Sequence, residues 1–261
     1  MASLQTQALI LRSLDFGESD RILHLLVPDS SRLTVIAKGA RRSFRRFPGT
    51  LDLFNHLRVQ VEGGRSAGMA RLAGAALIEP FIPLRSELPR FALACYLLEL
   101  LDRLAPEGGA RGDMRRLFAF ALAALRALAT RVPGARLRTL LELRALDALG
   151  LRPELLRCVR CGQTPRGSAE VDFHVADGGP VCGSCATRLE GLLRVHVGTL
   201  RALDQGLRFD LEQLDRLVLS SRALEEAQRL LVRFRCFHVG VELRSQRFLD
   251  QILGGDSRAG A

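Results

Sequence analysis

The sequence predicts an α+β chain: a small five-stranded barrel at the N-terminus, then an α-helical bundle that carries a four-cysteine insert. Three observations predict this class. Residues 6–80 run in short apolar or alternating stretches between turn formers. Beyond Pro80 the apolar period lengthens to that of helices. Four of the six cysteines fall as two CxxC pairs in the second half of the chain.

The strands come first. "TQALILRS", "RILHLLVP", "RLTVIAKG", "LFNHLRVQVE" and "GMARLAGAALIEP" are separated by "DFGESD", "DSS", "FPG" and "EGGRS", which supply glycine, proline and short polar residues for turns. Five strands within residues 1–80 suit a small closed barrel, with the OB-fold as the leading candidate. The acids Asp15, Glu18 and Asp20 of "LDFGESD" read as turn and capping residues rather than as a metal-dependent nuclease centre.

The helices follow. Leu93, Leu97, Leu100, Leu101 and Leu104 share one helical face. Met114, Leu117, Phe118, Ala121, Leu125 and Leu128 form a second face, and Leu137, Leu140, Leu141, Ala145 and Ala148 a third. "APEGGARGD" and "RVPGAR" break the chain between them, so an antiparallel bundle is expected over residues 81–155. A later helix begins after Ser220 or Ser221, either of which can cap it, and runs through "RALEEAQRLLVRFRCF". It is expected to dock back onto the first three helices as the second part of the bundle, residues 188–253. The tail, 254–261, is expected to be disordered.

Cys158, Cys161, Cys182 and Cys185 read C-V-R-C-G and C-G-S-C, and the spacing makes a zinc ribbon over residues 156–187. Each CxxC knuckle clips two thiolates onto one side of a tetrahedral metal ion. "AEVDFHV" alternates as a strand between the knuckles, and Gly162 and Gly183 are placed for the turns. One zinc ion in a structural role is expected, because four protein ligands leave no coordination position open for chemistry. Cys95 and Cys236 sit on apolar helical faces and read as inert core residues.

Charge points to a partner. The chain carries a net +10, and arginine accounts for every basic residue except Lys38. A GC-rich coding bias would scatter arginine evenly, yet Lys38, Arg41, Arg42, Arg45 and Arg46 stand within nine residues with no acid among them. Such a block repels itself unless an anion lies close by, and the net charge favours a polyanionic partner or an anionic membrane. These five residues are therefore the candidate contacts with that partner. Phe44 and Phe47 lie between them, either to stack on bases or to pack under the barrel rim. The longest apolar run, 117–125, is too short to span a bilayer, and no basic start followed by a long apolar run opens the chain, so no membrane partner and a cytoplasmic location are expected.

No GxxxxGK[ST], GxSxG or HExxH stands in the sequence, and the five histidines are scattered, so an enzyme is not expected. The order barrel, helices, four-cysteine insert and helices resembles the RecO family of bacterial DNA repair proteins over nearly the whole chain. The resemblance rests on "ALILRSLDFGESDRILHLLVP", "LTVIAKGARRSFRRFPGTLDLF", "CVRCG", "VCGSC" and "LRSQRFLDQIL", of which K-G-A-R-R followed by F-P-G is the most specific. Some family members lack the cysteines, so this chain resembles a zinc-retaining one. "VPDSSRL" departs from the family in lacking a turn glycine before the third strand.

The resemblance implies a recombination mediator that binds single- and double-stranded DNA and anneals complementary strands. It further implies partners: the acidic tail of single-strand-binding protein, and RecR, with which the family loads recombinase near the nucleoid. Arg115, Arg116, Arg126, Arg131, Arg136 and Arg138 flank apolar helical faces where such a tail would dock. The alternative from another class is a zinc-ribbon transcription or translation factor.

Overall fold

Strand β1, Ser3–Phe16, is long enough to serve two neighbours, and it does so by bending. Its first half pairs antiparallel with β4, His56–Glu62, and its second half with β2, Asp20–Val27, the register shifting between Ile10 and Arg12. Such a bulge bends and twists a strand, which lets one strand turn the corner of a small barrel. The fold is that of a computed structural model, which describes residues 3–29, 31–42, 46–63, 69–107, 111–165, 169–240 and 242–255.

Strands β3, Ser31–Ala37, and β5, Ala70–Glu79, complete a closed barrel in the order β1-β2-β3-β5-β4. Every pairing is antiparallel except the short β3–β5 closure at Val35 and Ile36. Alternation decides the interior: Leu23, Leu25 and Val27 of β2, and Leu57, Val59 and Val61 of β4, point inward with Ile10, Val35 and Leu72. Without the turn glycine, the β2–β3 hairpin still forms, with Val27 opposite Ser31. The barrel expected for residues 1–80 is present.

Two compact units divide the chain: Met1–Val132 with Leu243–Ala261, and Pro133–Glu242. In the first, helix α1, Leu88–Leu104, packs on β1, on α2, Arg111–Thr130, and on α7, Arg244–Gly255. Burial on both faces of β1 from Ala8 to Leu11 records that packing. The Asp102 carboxylate of α1 accepts from the His24 ring at 2.6 Å, and the Arg32 guanidinium donates to the Asp102 carbonyl at 2.7 Å. Glu99 accepts from the Arg244 and Ser245 backbone N–H groups at 2.9 and 2.8 Å, capping α7 at its start. The sequence pattern does not predict that helix, since "LRSQRFLDQIL" is too short for a clear period. It runs to Gly255, two residues into the expected tail, and residues 256–261 lie outside the described residues.

In the second unit, α3, Ala135–Ala148, packs against α5, Val197–Arg208, and α6, Ser221–Val239. The periodicity suggests one bundle of α1, α2 and α3 with α6 docked on it; instead α3 and α6 share the second unit. The local pattern shows which face of a helix is apolar and not which helix covers it. Helix α3 is the buried centre of its unit: Leu137 to Leu143 are buried without a break, Arg138, Thr139 and Glu142 included. Arg235 of α6, fully buried, donates from Nε to Glu142 at 3.1 Å. Ser220 caps α6 by accepting from the Ala223 N–H, and Gly240 ends it with φ 65°.

Candidate nucleic-acid interface and metal centre

The register of β2 against β3 builds the first site. Arg21 stands opposite Ala37, so the β1–β2 turn lies beside residues 38–42, about twenty positions later in the chain. Gly17 takes φ 57°, the left-handed conformation that closes this turn. Backbone contacts join the two loops: the Arg41 N–H donates to the Ser19 carbonyl at 2.9 Å, and the Gly39 N–H to the Asp20 carboxylate at 2.8 Å.

The turn's acids meet the basic block. Lys38 Nζ lies 2.7 Å from Asp20, Arg42 2.9 Å from Glu18, and Arg41 3.4 Å from Asp15. The block lacks a counter-charge within its own stretch of sequence, but Lys38, Arg41 and Arg42 find intramolecular ones in the β1–β2 turn. The Lys38 ammonium and the Gly39 N–H hold the Asp20 carboxyl down at about 2. All three cations remain open to solvent, their side chains 52%, 39% and 68% exposed in the order Lys38, Arg41, Arg42.

Arg46 reaches the other way and donates to the Ala73 carbonyl on β5 at 3.2 Å. Phe47 is buried in the barrel core, which is the packing role rather than the stacking one. Arg45 and Phe44 lie outside the described residues. Small OB barrels commonly take nucleic acid on the face of strands 2 and 3. Here α2 packs on β2 and β3, and α1 holds His24 and Arg32, so helices occupy part of that face. The basic surface stands beyond them, at the end of β3.

Of the six arginines expected to rim a docking notch, Arg115 pairs with Asp29 at 2.8 Å and Arg126 with Glu79 at 2.8 Å in the first unit, and Arg136 and the buried Arg138 belong to the second.

The second site is built by a three-stranded sheet of order β7-β6-β8: β6, Glu170–His174, β7, Gly179–Val181, and β8, Leu192–His196. Its third strand comes from beyond residue 187. Cys182 directly follows β7, and the short helix α4, Gly183–Ala186, carries Cys185. Gly162, with φ 74°, turns the first knuckle, and its N–H donates to the Cys158 carbonyl at 2.8 Å. Gly183 begins α4 and takes no left-handed turn. The first knuckle is joined to β7 by the Val159 N–H, which donates to the Pro180 carbonyl at 3.0 Å. The approach there is close enough that a Cβ on Gly179 would stand 2.3 Å from Val159 Cγ1.

These contacts bring the four Sγ atoms of Cys158, Cys161, Cys182 and Cys185 within 4.8 Å of one another, the one metal-ligand cluster among the described residues. Cys161 and Cys182 Sγ lie 3.7 Å apart, against an edge of about 3.8 Å for a sulfur tetrahedron with zinc–sulfur bonds of about 2.3 Å. The Cys182 N–H donates to Cys158 Sγ at 3.4 Å, an orienting contact of the kind thiolate ligands use. The neighbouring Ser184 hydroxyl lowers the Cys182 thiol to about 6, whereas the adjacent Cys182 sulfur drives Cys185 up to about 12. Crowded thiols resist ionising together, and a divalent cation removes that conflict. The donor set therefore fits a tetrahedral metal.

Of the remaining cysteines, Cys95 is half-buried with its thiol pushed up to about 11 by burial, but Cys236 is exposed on α6, contrary to its reading as core.

Barrel, helices and cysteine module occur here in the order the resemblance required, and comparison with known proteins decides the family. Residues 1–81 match the family described as Recombination protein O N terminal, and residues 85–247 match Recombination protein O C terminal. The chain belongs to the RecO family of DNA repair proteins. It is 35% identical to the DNA repair protein RecO of Anaeromyxobacter dehalogenans (strain 2CP-C) over 258 residues, 98% of this chain and 100% of that protein. The RecO proteins of Symbiobacterium thermophilum and Myxococcus xanthus are 32% and 34% identical, each match covering 97% of this chain and 98% and 99% of theirs. No helix among the described residues is long and apolar enough to cross a membrane.

Proposed function

We propose that the chain is a recombination mediator without catalysis of its own. In this reading it binds single- and double-stranded DNA through Lys38, Arg41, Arg42, Arg45 and Arg46 and anneals complementary strands. With RecR it then helps recombinase onto DNA coated by single-strand-binding protein, acting in the cytoplasm at the nucleoid. The exposed row of Lys38, Arg41 and Arg42 at the barrel's end is the observation that carries the reading, because DNA without sequence preference is held by phosphate contacts. Arg41→Ala with Arg42→Ala is expected to weaken binding to both DNA forms alike. It should also flatten the slope of log K against log salt by about 0.7 to 0.9 for each phosphate no longer neutralised. Unchanged affinity and slope would refute the assignment.

Cys158, Cys161, Cys182 and Cys185 hold one zinc ion, whose role is to cross-link the module; elemental analysis of dialysed protein should return one zinc per chain. The acidic tail of single-strand-binding protein needs apolar surface beside arginine. The cavity of about 340 Å³ between β1, α1 and α7 offers Leu11, Leu53 and Leu98 with Arg12, Arg103 and Arg244.

A further inference from the structure

The pairing of the β1–β2 turn with the basic block has a consequence for ligand choice. Glu18 and Arg42 are 88% and 68% exposed, and Asp15 and Arg41 57% and 39%, so both pairs face solvent. Exposed pairs of this kind are weak and screened by salt. They are not what joins the two loops, because the Arg41 N–H on Ser19, the Arg41 side chain on the Gly17 carbonyl and the Gly39 N–H on Asp20 already do so. Asp20, tied to backbone and to Lys38 at once, positions the loop. Asp15 and Glu18 contribute charge placed where a phosphate would stand.

We propose that Asp15 and Glu18 are specificity-determining residues of the basic surface, an intramolecular competitor for phosphate that an incoming strand must displace from Arg41 and Arg42. The proposal rests on the reading of this block as the DNA surface. A small anion meets one guanidinium and gains too little to exchange it from its carboxylate. An extended strand presents successive phosphates to both arginines together, so the two exchanges are linked along one chain. The turn thereby lowers affinity for isolated anions and keeps bound strands exchangeable, a property that annealing requires. Asp15 also lies 3.3 Å from Arg21, its cross-strand partner, so it keeps a cationic neighbour once Arg41 turns to a phosphate.

The test titrates a labelled single-stranded thymidine oligonucleotide into the full chain over a salt series. Four proteins are compared: wild type, Asp15→Asn with Glu18→Gln, Arg41→Ala with Arg42→Ala, and the quadruple variant. The acid double variant is expected to bind about two- to tenfold more tightly at low salt. Its salt slope should steepen by up to about 0.7 per arginine released. The quadruple variant should bind like the arginine double variant, since the acids act through those arginines. Unchanged or weaker binding by the acid double variant, with the arginine variant impaired, would overturn the competitor while sparing the DNA surface. Unchanged binding by the arginine variant would overturn both. Should the acid double variant melt early, Glu18→Gln alone, at an 88% exposed side chain, carries the same expectation at half the effect.

Discussion

Replacing Gly179 by alanine tests how the four cysteines are held. The added Cβ would stand 2.3 Å from Val159 Cγ1, 2.9 Å from Glu154 Cβ and 3.3 Å from the Glu154 carbonyl oxygen. Carbon atoms pack at about 3.5 to 4.0 Å, so β7 and the first knuckle must separate by roughly 1 Å. Two backbone bonds cross that seam, Glu154 N–H to Gly178 at 2.9 Å and Val159 N–H to Pro180 at 3.0 Å. Overpacking costs about 1 to 3 kcal/mol, and each strained bond adds about 1 kcal/mol. The damage reaches the metal because Cys158 adjoins Val159 and Cys182 lies three residues beyond Gly179. Widening the seam pulls the two knuckles apart and spoils the 3.7 Å approach of Cys161 to Cys182. The expected result is faster release of metal to a chromogenic chelator and a lower melting temperature, with DNA affinity nearly unchanged. Val159→Ala in the same chain removes the closest clash and should restore much of both. Metal release and melting identical to wild type in the single variant, or no recovery in the pair, would refute this account of the seam.

Other consequences are as direct. Asp20 is depressed in the folded chain to about 2 from 3.8, so its contribution is present above pH 4 and is lost as pH falls towards 2. The Gly39 amide resonance should shift over that acid window in wild type and lose the transition in Asp20→Asn; a midpoint near 4 would contradict the hydrogen bond. Arg235→Leu takes a buried guanidinium donor away from the buried Glu142 carboxylate, and should cost about 3 to 5 kcal/mol in a denaturant titration, with Glu142→Leu in the same chain recovering a large part. Equal losses in single and double variants would show that the pair is not the source.

Much of this protein is set by the order of its residues. Turn formers between short apolar runs and period-two alternation are enough for the barrel strands, because which side faces inward is a local property of a strand. The CxxC spacing is enough to mark the four-thiol cluster, because each knuckle turns two sulfurs to one side and two such pairs suit a tetrahedral cation. Lys38, Arg41 and Arg42 are visible as a block because they are near neighbours in the sequence, and all three stay exposed at the end of β3.

Tertiary structure decided what depends on distant partners. The helical periods mark apolar faces on α1, α2 and α3 alike, yet α3 pairs with α5 and α6, since a leucine stripe is covered equally well by any complementary stripe. The basic block and the acidic turn are each visible in the sequence, but their meeting depends on the register that sets Arg21 against Ala37. Charges about twenty residues apart neutralise one another only when a hairpin brings them within a few ångströms, and the hairpin's register is fixed by burying Leu23, Leu25 and Val27 together.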